Sequence, residues 1–153
     1  MWEMIKPIVI SVITAFVTVQ LSLRRFRTEK LWERKEERYS QIVDALHHLK
    51  NYCKKKLDAE CGAPYGEHKL SKEEDIQLSQ QYKAALNEVN RAIDVGSFVM
   101  GSETIKILEI YLNRPQLDYH ENSFIEIIEQ ELKYAEECLR DFKRVAQKDL
   151  GFK

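Results

Sequence analysis

Two residues in the last third of the chain have the types and spacing needed for acid–base chemistry on a phosphodiester. Arg114 and His120 are separated by five residues in the segment NRPQLDYH. A guanidinium can stabilise the negative charge of a phosphorane, and an imidazole can exchange a proton with a 2′-hydroxyl near neutral pH. The pair therefore predicts a candidate catalytic site for RNA cleavage.

The same two residues also have a structural interpretation, which the sequence favours. Pro115 disfavours helix in the residue before it, so Arg114 lies where a helix ends, and a cation there is stabilised by the terminal carbonyl groups. His120 would then be an exposed residue in the first turn of the next helix. The chain is accordingly expected not to be an enzyme, with a ribonuclease as the alternative.

No other recognised catalytic, cofactor or metal motif occurs in the sequence. A glycine-rich phosphate loop, HExxH, GxSxG and EF-hand spacing are all missing. The cysteines Cys53, Cys61 and Cys138 have no CxxC spacing and are expected to be reduced thiols. The sequence therefore predicts neither a cofactor nor a metal site.

An apolar run near the N-terminus predicts a membrane helix. Residues 7–23 read PIVISVITAFVTVQLSL without a charge, and counting back to Met4 gives the roughly 20 residues that a bilayer core requires. β-branched side chains cover all sides of this helix, which suits lipid better than a one-sided core contact. A secretory signal peptide is the alternative, but no Ala-x-Ala site follows the run. Residues 4–23 are therefore predicted to be a single transmembrane helix.

A basic cluster directly after the run predicts the orientation of the chain. Lys6 is the only basic side chain before the run, so the positive-inside rule places the N-terminus outside and residues 24–153 in the cytoplasm. The cluster is also expected to contact anionic lipid headgroups at the interface. It consists of Arg24, Arg25, Arg27 and Lys30.

One side of the predicted membrane helix carries small and hydroxyl-bearing side chains. They recur at three- and four-residue spacing and therefore share a face. Such a stripe lets membrane helices approach closely, or it lines a narrow polar lumen in an oligomer. Serine and threonine are also tolerated singly, because they bond back to their own helix. This hydroxyl stripe consists of Ser11, Thr14, Ala15, Thr18 and Ser22.

The remaining chain predicts an all-α fold with one cytoplasmic domain, a bundle of about four helices. Neither glycine nor proline occurs between Ile8 and Glu60, so the membrane helix is expected to continue into the bundle, with Leu31 on its apolar face. Gly96 and Gly151 are expected to end later helices. The expected N-terminal capping residues are Ser71, Ser102, and either Asp118 or Ser123.

The net charge of the chain limits the kinds of partner that it is expected to bind. The formal net charge is −1, which argues against binding DNA or bulk nucleic acid. The run from Glu33 to Arg38 mixes charges of both signs and is expected to be a solvated helix face. A belt of salt bridges between subunits is the alternative for this run.

The whole layout resembles the Csx28-like membrane accessory proteins that accompany the RNA-guided nuclease Cas13b in bacterial CRISPR systems. The resemblance lies in the single N-terminal membrane helix, the all-helical domain and the Arg114–His120 spacing. It implies a HEPN-like helical domain and a homo-oligomeric pore in the bacterial inner membrane that acts in antiviral defence by depolarisation. It also implies an RNA-guided nuclease or RNA as a partner.

Within that resemblance, one residue departs from the pattern of HEPN ribonucleases. Pro115 follows the arginine directly, where those nucleases carry a polar residue. The expected function is therefore a pore or membrane-perturbing effector. The alternatives are a membrane-tethered HEPN-type ribonuclease and a passive membrane anchor or adaptor for a cytoplasmic partner.

Overall fold

The computed structural model describes residues 2–62, 70–96, 98–118 and 120–151, with side chains from residue 13 onward. These ranges contain four helices and no strand, which confirms the all-α prediction. The helices are α1 (Trp2–Cys61), α2 (Lys72–Gly96), α3 (Ser102–Leu112) and α4 (Phe124–Asp149).

Helix α1 is uninterrupted over 60 residues, which corresponds to a length of about 90 Å. The predicted continuity across residues 8–60 is therefore confirmed, and it follows from the lack of any helix-breaking residue in that stretch. The helix ends at Cys61, and Gly62 adopts the left-handed conformation at φ +66 that glycine accommodates without strain.

The predicted membrane span is only partly covered by the described side chains. Within the described part of the chain, no helix carries an apolar run long enough to cross a membrane. The side chains of residues 4–12, which belong to the predicted span, lie outside that description.

The four helices pack side by side in chain order. Helix α1 contacts α2 and α4, and α3 contacts α2 and α4, so each helix has two neighbours in an up-and-down bundle. Only the C-terminal half of α1 takes part in this packing, because every described side chain from Ile13 to Arg34 is exposed. The expectation that Leu31 packs on the apolar face is wrong, since Leu31 is 64% exposed.

The core is built from one stripe of each helix. Tyr39 meets Phe142 edge to face, with ring centroids 5.7 Å apart, where α1 crosses the end of α4. Gly96 ends α2 as predicted, and the terminal methyl group of Met100 packs closely against it. The largest fully buried side chains are Phe142, Ile42, Leu46, Leu49, Leu108, Val89 and Thr104.

Two of the predicted caps are confirmed and one is wrong. Ser71 and Glu74 form a reciprocal capping box at the start of α2. Ser123 and Glu126 form another before α4, which decides between Asp118 and Ser123. At α3, however, the N-cap is Gly101, and no side chain of α3 caps the helix. Ser102 therefore cannot act as the cap, because it already lies in the first turn.

The cap that α3 lacks is supplied by the end of α4. The Gly101 N–H donates to the Asp149 carboxylate at 3.2 Å, and the same carboxylate accepts from the Tyr39 hydroxyl and pairs with Lys35 at 2.8 Å. Tyr39 also satisfies the buried hydroxyl of Thr104 at 3.1 Å. Burial alone would raise the pKa of Asp149, but the hydrogen bonds from Lys35 and Tyr39 outweigh it and lower that pKa. Asp149 therefore joins α1, α3 and α4.

We expect Asp149→Asn to lower the free energy of unfolding by about 1–3 kcal/mol, because charge-assisted hydrogen bonds to Lys35 and Gly101 are lost. The lowered pKa means that this contribution is present above the unfolded pKa of about 3.9 and disappears as pH falls through the folded value. The difference between variant and parent should therefore shrink as pH falls below about 3.9.

Urea denaturation followed by circular dichroism at several pH values measures this difference. Asp58→Asn is the matched control, because Asp58 is an exposed carboxylate on the same long helix. A loss of stability that is the same at neutral and acid pH would contradict the role of the Asp149 charge.

Candidate functional site

Arg114 lies in the connection between α3 and α4, as its position before proline predicts. Helix α3 ends at Leu112, and Asn113 closes it by donating its N–H to the Glu109 carbonyl at 2.9 Å. Pro115 cannot continue the helix. The chain then runs without regular structure through residues 114–118, so the Arg114 side chain can turn inward against the bundle.

The Arg114 guanidinium is bound on two sides. Its Nε donates to Glu131 Oε1 at 3.2 Å, and its Nη2 donates to the second carboxylate oxygen of Glu131. Its Nη1 donates to the Tyr111 carbonyl at 2.6 Å, which satisfies an open carbonyl at the end of α3. The side chains of Arg114 and Glu131 are only 7% and 17% exposed. Arg114 and Glu131 therefore form a buried, bidentate salt bridge.

The surroundings keep Arg114 charged. Its guanidinium carbon lies 4.1 Å from the centroid of the Tyr111 ring, in cation–π contact. Burial alone would lower the pKa of Arg114, but the hydrogen bond with Glu131 raises it above its ordinary value. Burial also raises the pKa of the Tyr111 hydroxyl. Neither Arg114 nor Tyr111 can therefore exchange a proton near neutral pH.

Two thiols lie buried near this salt bridge. Burial raises the pKa of Cys53 to about 12 and that of Cys138 to about 12. Both thiols therefore stay protonated, whereas the thiolate is the nucleophilic form. All three cysteines are free, as the sequence predicts, and Cys61 is exposed at the end of α1.

Three cavities meet at Arg114. One of about 540 Å³ lies against α2 and α3 and reaches Asn90, and one of about 190 Å³ lies between Tyr52, Tyr82 and Glu131. A third, of about 450 Å³, is a mostly apolar groove between α3 and α4. Arg114 thus separates the cavities, and its donors face protein groups on two sides.

His120 occupies a different environment. It lies in the turn before α4, its side chain is exposed, and its backbone N–H donates to the Asp118 carboxylate at 2.9 Å. His120 lines none of the three cavities that Arg114 lines. The structure therefore places one member of the predicted catalytic pair in a buried salt bridge and the other on the surface, and a catalytic role stays a prediction.

Glu131 is the residue of this site that sequence reasoning missed. It lies on the core-facing side of α4, four residues after Ile127 and four before Ala135, and both of these are buried. A carboxylate within a buried stripe requires a cation or several donors. That mismatch was the available signal, and it points to Arg114 as the partner only once α3 and α4 are packed together.

The hydroxyl stripe lies on the exposed half of α1. Thr14, Ala15, Thr18 and Ser22 are all exposed, and the side chain of Ser11 lies outside the described residues. The Thr18 hydroxyl donates to the Thr14 carbonyl at 2.8 Å. Because this hydroxyl proton is already bonded within the helix, Thr18 can enter an apolar environment without an unsatisfied donor.

The basic cluster is also exposed on α1. Arg25 pairs with Glu29 at 3.0 Å and Lys30 pairs with Glu33 at 2.6 Å, one turn further along the helix. Such exposed pairs contribute at most a few tenths of a kcal/mol each. Arg24 and Arg27 make no side-chain ion pair within the part of the chain that the structure describes.

The described ranges contain no candidate metal site. No group of three or more histidine, cysteine, aspartate or glutamate side chains among those residues is arranged to hold an ion.

Comparison with known proteins adds no relative. No protein family, no curated protein and no solved structure matches the chain.

We expect Arg114→Ala to lower the free energy of unfolding by about 3–5 kcal/mol, because it leaves Glu131 buried without its counter-ion. Replacing both residues, Arg114→Met with Glu131→Leu, should recover most of that loss, since an apolar pair removes the unpaired charge. His120→Ala should change the free energy by less than about 0.5 kcal/mol.

Urea denaturation of the full chain measures all three variants. Equal destabilisation by the single and the double replacement would show that Arg114 and Glu131 do not act as a pair.

Proposed function

We propose that this chain is a single-pass membrane protein that assembles with copies of itself into a pore or membrane-perturbing effector of bacterial antiviral defence. Helix α1 would anchor it through residues 4–23, and residues 24–153 would lie in the cytoplasm. The observation that supports the proposed membrane anchor is the exposed apolar surface on the N-terminal half of α1.

That surface is uncovered on several sides of the helix. Ile13, Phe16, Val19 and Leu21 are between 55% and 64% exposed, although the bundle below has a complete core of its own. At about 100° per residue these four positions point in different directions, so a single partner helix cannot cover them all. Exposing each to water forfeits about 1.5–3 kcal/mol, whereas lipid surrounds them all at once.

The basic cluster supports the orientation. Arg24, Arg25, Arg27 and Lys30 form the first charged ring below the apolar surface, and all four are exposed. Cytoplasmic flanks of membrane helices carry such excess positive charge, and anionic lipids are the expected contacts.

Two arguments support self-assembly: a pore requires several copies, and the hydroxyl stripe offers a contact surface. A single helix cannot enclose a conducting path, so a pore requires several copies. The exposed stripe of Thr14, Ala15, Thr18 and Ser22 offers the small side chains through which membrane helices approach closely. The defence role, and an RNA-guided nuclease or RNA as a partner, rest on the resemblance in layout.

Enlarging the stripe tests the effector. We expect Thr14→Leu with Thr18→Leu to abolish the depolarisation that the parent chain causes when it is expressed in bacteria, because the larger side chains block close approach or a lumen. A voltage-sensitive dye reports the loss. Val17→Leu with Val19→Leu is the matched control on other sides of the helix and should keep full effect.

Two companion measurements interpret the outcome. Carbonate extraction of membranes checks that both variants remain inserted, and native mass spectrometry of the parent gives the number of copies. Unchanged depolarisation in the Thr14 and Thr18 variant would remove the stripe from the mechanism. A monomeric parent would leave only the passive anchor or adaptor.

The ribonuclease alternative has less support. Its arginine would have to bind a phosphate, but Arg114 already holds Glu131 and the Tyr111 carbonyl. We therefore expect no metal-independent cleavage of labelled RNA by the full chain in detergent. Cleavage that disappears in His120→Ala and persists in His68→Ala would overturn this expectation.

A further inference from the structure

The stretch of α1 between the predicted membrane span and the bundle separates its charges onto two sides. We call residues 24–36 the shaft. At about 100° per residue, its glutamates lie within an arc of about 60°, and three of its basic residues lie within another arc of about 60°. The acidic flank consists of Glu29, Glu33 and Glu36, and the basic flank consists of Arg27, Lys30 and Arg34.

Nothing else in the described chain covers these flanks. All six side chains are exposed, and the bundle begins to bury α1 only at Lys35. Arg27, Arg34 and Glu36 take part in no ion pair among the described residues, whereas Glu29 pairs with Arg25 at 3.0 Å and Lys30 pairs with Glu33 at 2.6 Å. Among the described residues the shaft therefore leaves Arg27 and Arg34 unpaired on the basic flank and Glu36 unpaired on the acidic flank, while the ion pairs of Glu29 and Glu33 are exposed and weak.

The bundle leaves both directions open. The core-facing stripe of α1, from Tyr39 to Leu49, lies about 110–130° around the helix from the centre of either flank. Two further cations of this stretch are committed to the bundle, since Lys35 pairs with Asp149 at 2.8 Å and Arg38 approaches Glu88 at 3.8 Å. Arg24 and Arg25, at the upper end of the shaft, are exposed, and Arg25 pairs with Glu29 of the acidic flank. The remaining charges can therefore meet another molecule on each side.

We infer that the shafts of neighbouring copies pack in parallel, with the acidic flank of one copy against the basic flank of the next. This inference rests on the proposed membrane anchor, which gives all copies the same orientation. It names a second copy of this chain as the occupant of both flanks.

The heights of the charges match in such a parallel pair. Arg27 and Glu29 differ by two residues, as do Arg34 and Glu36, which is about 3 Å of helix rise in each case and in the same sense. Both flanks also repeat after seven residues, the spacing that keeps side chains on one seam between parallel helices. Long arginine and glutamate side chains easily span that offset.

The same arrangement excludes a symmetric contact through either flank. A two-fold pair would set glutamates against glutamates or arginines against arginines, and like charges repel.

The parallel arrangement of neighbouring copies also brings complementary shapes together above the shaft. The small residues Thr18 and Ser22 lie above the acidic flank, whereas the large Phe16 and Leu23 lie above the basic flank, by the same 100° rule. The hydroxyl stripe would then face a neighbouring helix.

Charge reversal in two complementary variants tests the contact. Variant one is Arg27→Glu with Arg34→Glu, which makes both flanks acidic. Variant two is Glu29→Lys with Glu36→Lys, which makes both flanks basic. We expect each alone to lose at least roughly tenfold in assembled fraction, measured by native mass spectrometry of the full chain in a neutral detergent.

Co-expression of the two variants gives the decisive result. An acidic copy and a basic copy complement each other on both sides, so assemblies should return with equal numbers of each. Lys54→Glu with Lys55→Glu is the control, because it reverses two exposed charges elsewhere on α1 and should keep the parent assembly. Circular dichroism verifies that every variant is helical.

Three results would overturn the inference. If variant one or variant two assembles like the parent when expressed alone, the flanks do not meet, although the proposed oligomer stands. Failure of the two co-expressed variants to assemble would also show that the flanks do not meet. Loss of binding to phosphatidylglycerol vesicles by variant one, with assembly unchanged, would assign the basic flank to lipid. A monomeric parent would instead refute the proposed function itself.

Discussion

The antiparallel packing of α1 along α4 is the contact on which the rest of the structure depends. It buries one stripe of α1 from Tyr39 onward, and Phe142 of α4, itself fully buried, packs against Tyr39 at the start of that stripe. Because α1 is one unbroken helix, this contact also fixes the direction in which residues 13–34 leave the bundle. The faces that those residues offer to lipid or to another copy follow from how the bundle is packed.

Buried charges hold the two ends of the bundle in different ways. At the end where α1 leaves, Asp149 joins three helices and supplies the cap that α3 lacks. At the opposite end, Arg114 and Glu131 fasten the connection between α3 and α4 and close the last carbonyls of α3. Both are buried or half-buried pairs with several donors, so the loss of one partner strands the other. Each also secures a segment that has no regular structure.

The proposed assembly links these features. A rigid helix that is continuous from the bundle into the predicted span transmits any rotation of the bundle to the membrane segment. In that assembly, opposite charges on two flanks of the shaft would orient neighbouring copies, and the bundle leaves the side chains of both flanks exposed. The mixed charge run from Glu33 to Arg38 then serves two purposes, because Lys35 and Arg38 bind the bundle while its glutamates face away from it.

The sequence by itself determined the four helices, because their ends depend on local chemistry: glycine and proline positions, and the capping boxes at Ser71 and Ser123. It also predicted that Arg114 lies at the end of α3, because Pro115 follows it. Tertiary structure decided the partner of Arg114, since Glu131 lies 17 residues away and meets it only when α3 packs on α4. It likewise decided that Asp149, and no residue of α3, caps that helix. Long-range pairing depends on the three-dimensional arrangement of helices, which local patterns do not encode.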